Sequence, residues 1–327
     1  MKWNKSRLLM AGIGVVCMWV LAACSSTGKK AAQTVTRPDF SGDSAYLFVE
    51  QQLAMGPRVP NGQGHTDCII FIVETLRRFG AEVTLQKGTM LNYAGKAQPV
   101  VNVIGRFLPD SLDTRVPFIL LGAHYDTRPW CDEEDEYQDR FHNVPGANDG
   151  ASGVAVLLEI ARQLSMHGTL VPIEMVFFDV EDMGTPDFYT GQQREHTWCL
   201  GSQLWAQQAV PEQYRYGILV DMVGAPDAVF PREYYSMQYA ENYQEQLWRR
   251  ARELGHGRYF SDEASYPIVD DHYYINLAGV PCVDIIHYEV HSGTGFPSWW
   301  HTREDDLSNV SATTLQAVGE VILSCLN

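Results

Sequence analysis

No cluster of lysine or arginine interrupts the acidic balance of this 327-residue chain, in which 24 Lys and Arg face 40 Asp and Glu for a formal net charge of -16. That absence excludes nucleic acid as a partner, because phosphate backbones are gripped by basic surface. Small or peptide-like substrates remain. The seven cysteines are an odd number without regular spacing and do not describe a disulfide framework. No pair of them has zinc-finger spacing, so a bound metal must be held by oxygen and nitrogen. One bridge among Cys68, Cys131, Cys199, Cys282 and Cys325 stays open for an oxidising compartment. Internal repeats are also missing.

What is present suffices for a full core: 45% of the residues are hydrophobic. The length exceeds the usual single-domain size without forcing two domains. At the N-terminus, Lys2, Lys5 and Arg7 precede an apolar run from Leu8 through Ala23. The run is short for a membrane span and has the small-residue exit of a secretory signal. Leu21-Ala22-Ala23-Cys24 resembles a bacterial lipobox. By that resemblance, residues 1–23 are a cleaved lipoprotein signal peptide and Cys24 is lipidated. Ser25 follows instead of Asp, which implies the outer membrane of the bacterial envelope. Residues 24–38, small, polar and basic, read as a tether, and 39–327 as the catalytic domain.

Apolar periodicity predicts helices over Ser44–Gln52 and Asp67–Phe79, the latter stopped by Gly80, then strands over Glu82–Lys87, Val100–Arg106, Val116–Leu121 and Ile173–Phe178. Between the last two, Val154, Leu157, Leu158 and Ala161 recur at helical spacing. Strand, helix and strand in that order imply a parallel pair. Further on, the pattern predicts a helix over Ser202–Gln208, a strand over Tyr216–Val220, a helix over Glu241–Leu254, a strand over Val280–Ile286 and a closing helix over Thr313–Leu326. The fold class is therefore α/β, a single domain with a mixed, mostly parallel central sheet covered by helices on both faces. Ligands of such sheets collect beyond the carboxyl ends of the strands.

Residues that carry chemistry fall at those ends. Asp149 lies in the turn Pro145-Gly146-Ala147-Asn148-Asp149-Gly150, where it either caps the following helix or serves a site. Glu181 and Asp182 follow an apolar strand. Buried together they must be protonated, paired or bound to a cation, and a metal removes the conflict by ligating one and leaving its neighbour as a base. His124 and Asp126 share a strand face, so the carboxylate can fix the tautomer of the imidazole. Asp221 ends another strand, Asp270-Asp271-His272 opens a later segment, and Trp299-Trp300-His301-Thr302 sets an imidazole beside two indoles. The acidic run Asp132 to Glu136 lacks the spacing of a calcium loop and reads as a solvated insertion.

His124-Tyr125-Asp126, Gly146 through Gly153, Phe177 through Asp182, Asp221 and His301 resemble the zinc aminopeptidase clan with its co-catalytic metal pair. Asp221-Met222-Val223-Gly224-Ala225-Pro226, Asp270-Asp271-His272 and Phe296-Pro297-Ser298-Trp299-Trp300-His301-Thr302 are more similar to one branch, the animal-type glutaminyl-peptide cyclotransferases or glutaminyl cyclases. The similarity runs from about Phe40 to the C-terminus. It implies one zinc ion held by Asp149, Asp182 and His301, with the fourth position open. The animal enzymes generally carry Glu where Asp182 stands. By the same resemblance Glu181 shuttles the proton, Asp221 and Asp270 share hydrogen bonds with it, and Trp300 and Phe296 contact the substrate. The wall opposite Trp300 is left open among Phe188, Tyr189 and Trp198. The implied partners are peptides or proteins with N-terminal Gln, and the membrane through Cys24.

Two other functions fit the residues. In a dinuclear aminopeptidase, His124 and Asp221 bind a second zinc, Asp149 bridges, and Glu181 activates water. In a non-catalytic lipoprotein the same fold only binds peptides, a role for which Glu181 is superfluous.

Overall fold

The computed structural model of the chain describes residues 39–109, 111 and 115–326. Cys24, the signal segment and the tether lie outside the described residues. The chain enters through two helices, α1 (Gly42–Leu53) and α2 (Gln63–Arg78), then forms strands β1 (Glu82–Leu91), β2 (Ala97–Phe107) and β3 (Phe118–His124). Helix α3 (Ala151–His167) leads to β4 (Ile173–Phe178), and α4 (Leu200–Ala206) to β5 (Tyr214–Asp221). After β6 (Phe230–Arg232) come α5 (Tyr234–Leu254), β7 (Phe260–Ala264), α6 (Asp271–Leu277), β8 (Cys282–Ile286) and α7 (Ala312–Leu323).

The main sheet has six strands in the order β1-β2-β4-β3-β5-β8. Strands β4, β3, β5 and β8 run parallel, while β2 joins β4 and β1 joins β2 antiparallel. Strand β3 therefore has β4 on one side and β5 on the other, each reached by a separate connection. From its carboxyl end β3 leads to β4 on one side, while β5 leads on toward β8 on the other, and where neighbouring strands diverge in this way a crevice opens at their carboxyl ends. The site lies there.

Alternation within the strands explains the helices on both faces. Ile119, Leu121 and Ala123 of β3 and Met175 and Phe177 of β4 belong to the large core that takes in α1, α2, α3, α5 and α7. Leu120, Val176, Phe178 and Leu219 point the other way, against Trp205 of α4 and Ile275 of α6. Strands buried on both faces read as continuous apolar runs, which is why β3 and β4 are legible from sequence. Val154, Leu157, Leu158 and Ala161 of α3 are all fully buried.

Helix α1 begins where Ser41 Oγ accepts the N–H of Ser44, and α2 gives way at Gly80, whose φ of +87° is the left-handed turn that glycine takes without cost. The largest departure from expectation is α5, which starts seven residues before Glu241. Glu233, outside the usual N-cap set, accepts the N–H groups of Tyr235 and Ser236, and the helix crosses non-helical geometry at Ala240. The short helix α6 and the two-stranded sheet β6–β7 were not expected. Their few residues, including Pro231 and Asp262-Glu263, carry no apolar periodicity. Cys68, Cys131, Cys199, Cys282 and Cys325 are free and buried.

Helix α3 sits against β3 and β5 through Gly153, where an added Cβ would lie 2.4 Å from the Val220 carbonyl oxygen and 3.1 Å from the Ala123 Cβ. Overpacking of this kind costs about 1–3 kcal/mol, more than the ~1 kcal/mol that alanine gains over glycine within a helix. Gly153→Ala is expected to lower the urea unfolding midpoint at unchanged m-value; a raised midpoint would show that α3 is not pressed onto the strands.

Candidate active site and metal centre

Each chemical side chain arrives on a different element. His124 ends β3, Glu181 and Asp182 follow β4, Asp221 ends β5, Asp149 stands just before α3, and Asp270 caps α6. His301 comes from the loop ahead of α7, with a φ of +55°. Asp149 does not cap α3: the N-cap is Gly150 and no side chain bonds to it. Its carboxylate faces the rim instead.

There the two oxygens of Asp149 serve two imidazoles. Oδ1 is 2.9 Å from His124 Nε2, and Oδ2 is 3.5 Å from His301 Nε2. His301 Nε2 is also 3.1 Å from Asp182 Oδ1, and His124 Nε2 is 3.2 Å from Asp221 Oδ1. One possible ligand atom from each of Asp149, Asp182 and His301 lies within 4.8 Å of the others, and the same is true of His124, Asp149 and Asp221. The residues expected to form one metal site are thus brought together, and so are those of the second.

The first cluster fits a cation on its own terms. Asp182 is 2% exposed, and its carboxylate oxygens have no aligned hydrogen bond among the described residues, only the cationic groups His301 Nε2 at 3.1 Å and Arg128 Nη1 at 3.5 Å beside Oδ1. Burying an unsatisfied carboxylate is costly, and a metal ion among oxygen and nitrogen donors satisfies it. Two carboxylates and one imidazole with an open direction are the donor set of a catalytic zinc site.

Electrostatics follow from the crowding. Burial would lower the His301 imidazole, but the charge of Asp182 and the closeness of the Asp149 and Asp182 carboxylates lift it to about 9. His124, against the same effect of burial, is held well above its usual range by hydrogen bonds to Asp126, Asp149 and Asp221. Asp149, flanked by both, stays well below the carboxylate range although burial opposes this. Burial pushes Asp221 up to about 7 against the pull of His124. Glu181 is raised well above its usual value by burial, opposed by His124 and reinforced by Asp182, Asp270 and Asp271. A carboxyl shifted upward in a cleft is suited to carrying a proton.

Glu181 is half-buried at the edge of a cavity of about 340 Å³ that also exposes Asp149, Asp182, Asp221, Asp270 and His301. Aromatic rings form its walls. Trp300 stacks on His301 with ring centroids 3.6 Å apart and on Phe296 at 4.4 Å. Trp198 lies parallel to His301, 7° between planes at 6.2 Å, and lines the same cavity. Of Phe188, Tyr189 and Trp198, only Trp198 lines this cavity; Phe188 packs on Trp130 and Phe141, and Tyr189 on Tyr93.

Several supporting residues escaped the sequence reading. Asp126 lies 3.5 Å from His124 Nδ1, as expected, but its carboxylate also accepts the N–H groups of Glu181 (3.0 Å) and Asp182 (3.2 Å). Asp305 accepts the N–H groups of Asn148 (2.8 Å) and Asp149 (3.1 Å). The buried Arg58 donates to the carbonyl oxygens of Tyr125, Pro145 and Gly146. Asp132 corrects an expectation: it is 2% exposed, not solvated, because the buried Arg128 binds both of its oxygens. Arg128 in turn lies 4.6 Å from the Trp198 ring and donates to the Asp182 carbonyl oxygen, while Asp132 Oδ1 is 3.7 Å from His301 Nδ1. The neighbouring Glu133, Asp135 and Glu136 are exposed, as a solvated run requires. An arginine four residues before an acid was the available signal for this pair.

Residues 102–326 match the profile of Peptidase family M28. A glutaminyl cyclase of Tannerella forsythia is 42% identical over 88% of this chain and 99% of its own, with a TM-score of 0.83. A Zn-dependent exopeptidase from Parabacteroides distasonis is 41% identical over 89% of this chain and 99% of its own, with a TM-score of 0.84. The glutaminyl-peptide cyclotransferase of Bos taurus is 24% identical over 293 residues, 81% of this chain and 76% of its own. The chain belongs to Peptidase family M28, and its similarity to bacterial glutaminyl cyclases spans nearly the whole of the described structure.

Proposed function

We propose that the chain is a zinc-dependent glutaminyl-peptide cyclotransferase, which converts an N-terminal glutamine to pyroglutamate and releases ammonia. The observation that carries this reading is the half-buried carboxyl of Glu181 beside the Asp149, Asp182 and His301 cluster, lining a cavity with Trp198 and Trp300. The 42% identity to a glutaminyl cyclase supports the choice of reaction.

Asp149, Asp182 and His301 are the residues that would hold zinc, and when bound it supplies Lewis-acid polarisation of the γ-carbonyl. Trp300 and Trp198 confine the glutamine side chain, so that the α-amine is held against its own γ-carbon. The five-membered ring then closes with the advantage of an intramolecular reaction. A new bond forms between the α-nitrogen and the γ-carbon, the bond from that carbon to the amide nitrogen breaks, and no water is consumed. Glu181 takes the proton from the attacking amine and delivers it to the departing nitrogen, which leaves as ammonia. Asp270, which can bring a carboxylate oxygen within 4.8 Å of Glu181, adds to the upward shift of its carboxyl, while Asp221 bonds to His124.

The cluster of His124, Asp149 and Asp221 favours a second reading, a dinuclear aminopeptidase. Metal analysis and product analysis on a Gln-initiated peptide separate the two. One zinc per chain with loss of one ammonia from the peptide is expected; two zincs with release of free amino acid would replace the cyclase by the aminopeptidase. Glu181→Gln is expected to lower kcat by about 10²–10⁴, the usual share of a general acid–base, with zinc still bound. Undiminished turnover in that variant would remove Glu181 from the reaction.

We also propose that the protein is anchored to the bacterial outer membrane by lipid on Cys24. No helix among the described residues is long and apolar enough to cross a membrane. Cys24→Ala is expected to move the protein from the detergent-soluble membrane fraction to the aqueous fraction, and unchanged partitioning would refute the anchor.

A further inference from the structure

Glu181 is held by something other than acids. Cys199, fully buried, has its Sγ 3.1 Å from Glu181 Oε1, while its backbone N–H donates to the Glu181 carbonyl oxygen at 2.8 Å. Leu200 N–H donates to the Val180 carbonyl oxygen at 3.0 Å, so the segments on either side of Glu181 and Cys199 are laced together. Both segments adopt left-handed backbone to do this: Cys199 has φ +57° and Val180 φ +54°. For a β-branched residue this conformation is a true outlier, and such outliers persist where surrounding structure over-determines them, often at functional sites. The start of α4 is also fixed, since a Cβ on Gly201 would lie 2.3 Å from the Asp179 carbonyl oxygen. The thiol cannot drift from the carboxylate.

We propose that Cys199 is a positioning residue, whose thiol donates a hydrogen bond to Glu181 Oε1 and thereby turns the other oxygen, Oε2, toward the substrate amine. The proposal rests on the reading of Glu181 as proton carrier. Possible ligand atoms of Glu181, Cys199 and Asp270 all lie within 4.8 Å of one another. Where Glu181 acts as the base its carboxylate has no hydrogen to give, whereas the thiol has one. Burial and the nearby charge of Glu181 keep it in the thiol form. A free Glu181 could rotate either oxygen toward the amine or toward Asp270. With one oxygen engaged, the carboxylate is pre-organised, and orientation within fractions of an ångström governs rate more than affinity.

The test uses the full zinc-loaded protein as wild type, Cys199→Ala and Cys199→Ser. Cys199→Ala is expected to reduce kcat for a Gln-initiated peptide by about tenfold, the scale of one ordinary hydrogen bond, with KM changed less than about twofold. Cys199→Ser, which restores an O–H donor, is expected to recover most of that loss. Independently of activity, the S–H stretching band that Cys199→Ser removes from the infrared difference spectrum is expected to lie at the hydrogen-bonded frequency in wild type. In Glu181→Gln, where the acceptor is neutral, it is expected to move toward the free-thiol frequency. An unchanged kcat in Cys199→Ala, a serine variant no better than alanine, or a band unmoved by Glu181→Gln would each overturn the proposal. If Cys199→Ala does not fold, the serine variant and the infrared band still decide. A wild type that releases no ammonia would sink the cyclase reading alone, because the thiol band reports the hydrogen bond without any substrate.

Discussion

Buried negative charge that must be compensated is the constraint on which this structure depends. Asp126, Asp149, Asp182, Asp221 and Asp270 all lie at one rim with no more than 8% exposure. Carboxylates taken out of water are tolerated only when paired, hydrogen-bonded, protonated or bound to metal. Asp126 is satisfied by backbone N–H groups, Asp149 by two imidazoles, and Asp221 by a shifted pKa together with His124. Asp182 is left with unbonded oxygens. Flanked by His301 and Arg128 but with no aligned hydrogen bond, that carboxylate makes its cluster a place for a cation.

The sheet makes that concentration of charge feasible. Because β4, β3 and β5 are adjacent and parallel, their three carboxyl ends face one rim, and the strands behind it are largely apolar. Residues scattered from His124 to His301 in sequence therefore meet without any long excursion of the chain. Asp182, shorter by one methylene than the glutamate of the animal-type pattern, still reaches within 3.1 Å of His301. The carboxylate is steadied through its own backbone, whose N–H is held by Asp126 and whose carbonyl oxygen is held by Arg128.

Much of this was legible from the chain alone, for reasons that can be named. Strands buried on both faces gave uninterrupted apolar runs, and Asp149, Glu181, Asp182, Asp221 and His301 stood out as polar residues directly after such runs or in glycine-rich turns. What stayed hidden was support whose partners are backbone atoms distant in sequence. Nothing local marks Arg58 as a ligand of carbonyl oxygens 67 to 88 positions away, or Asp305 as an acceptor for N–H groups 156 and 157 positions earlier. The acidic run around Asp132 hides that this residue turns inward to Arg128. Helix α5 was begun too late because Tyr234, Tyr235 and Tyr239 are indifferent helix formers, and its cap is a glutamate that bonds in aspartate fashion.

Arg58 has a further implication. It sits between the first two helices, remote in sequence from every group that handles a proton or a cation, and yet its guanidinium pins the turn that presents Asp149. A protease that nicked the chain just beyond this arginine would leave every reactive side chain covalently intact while cutting its anchorage loose.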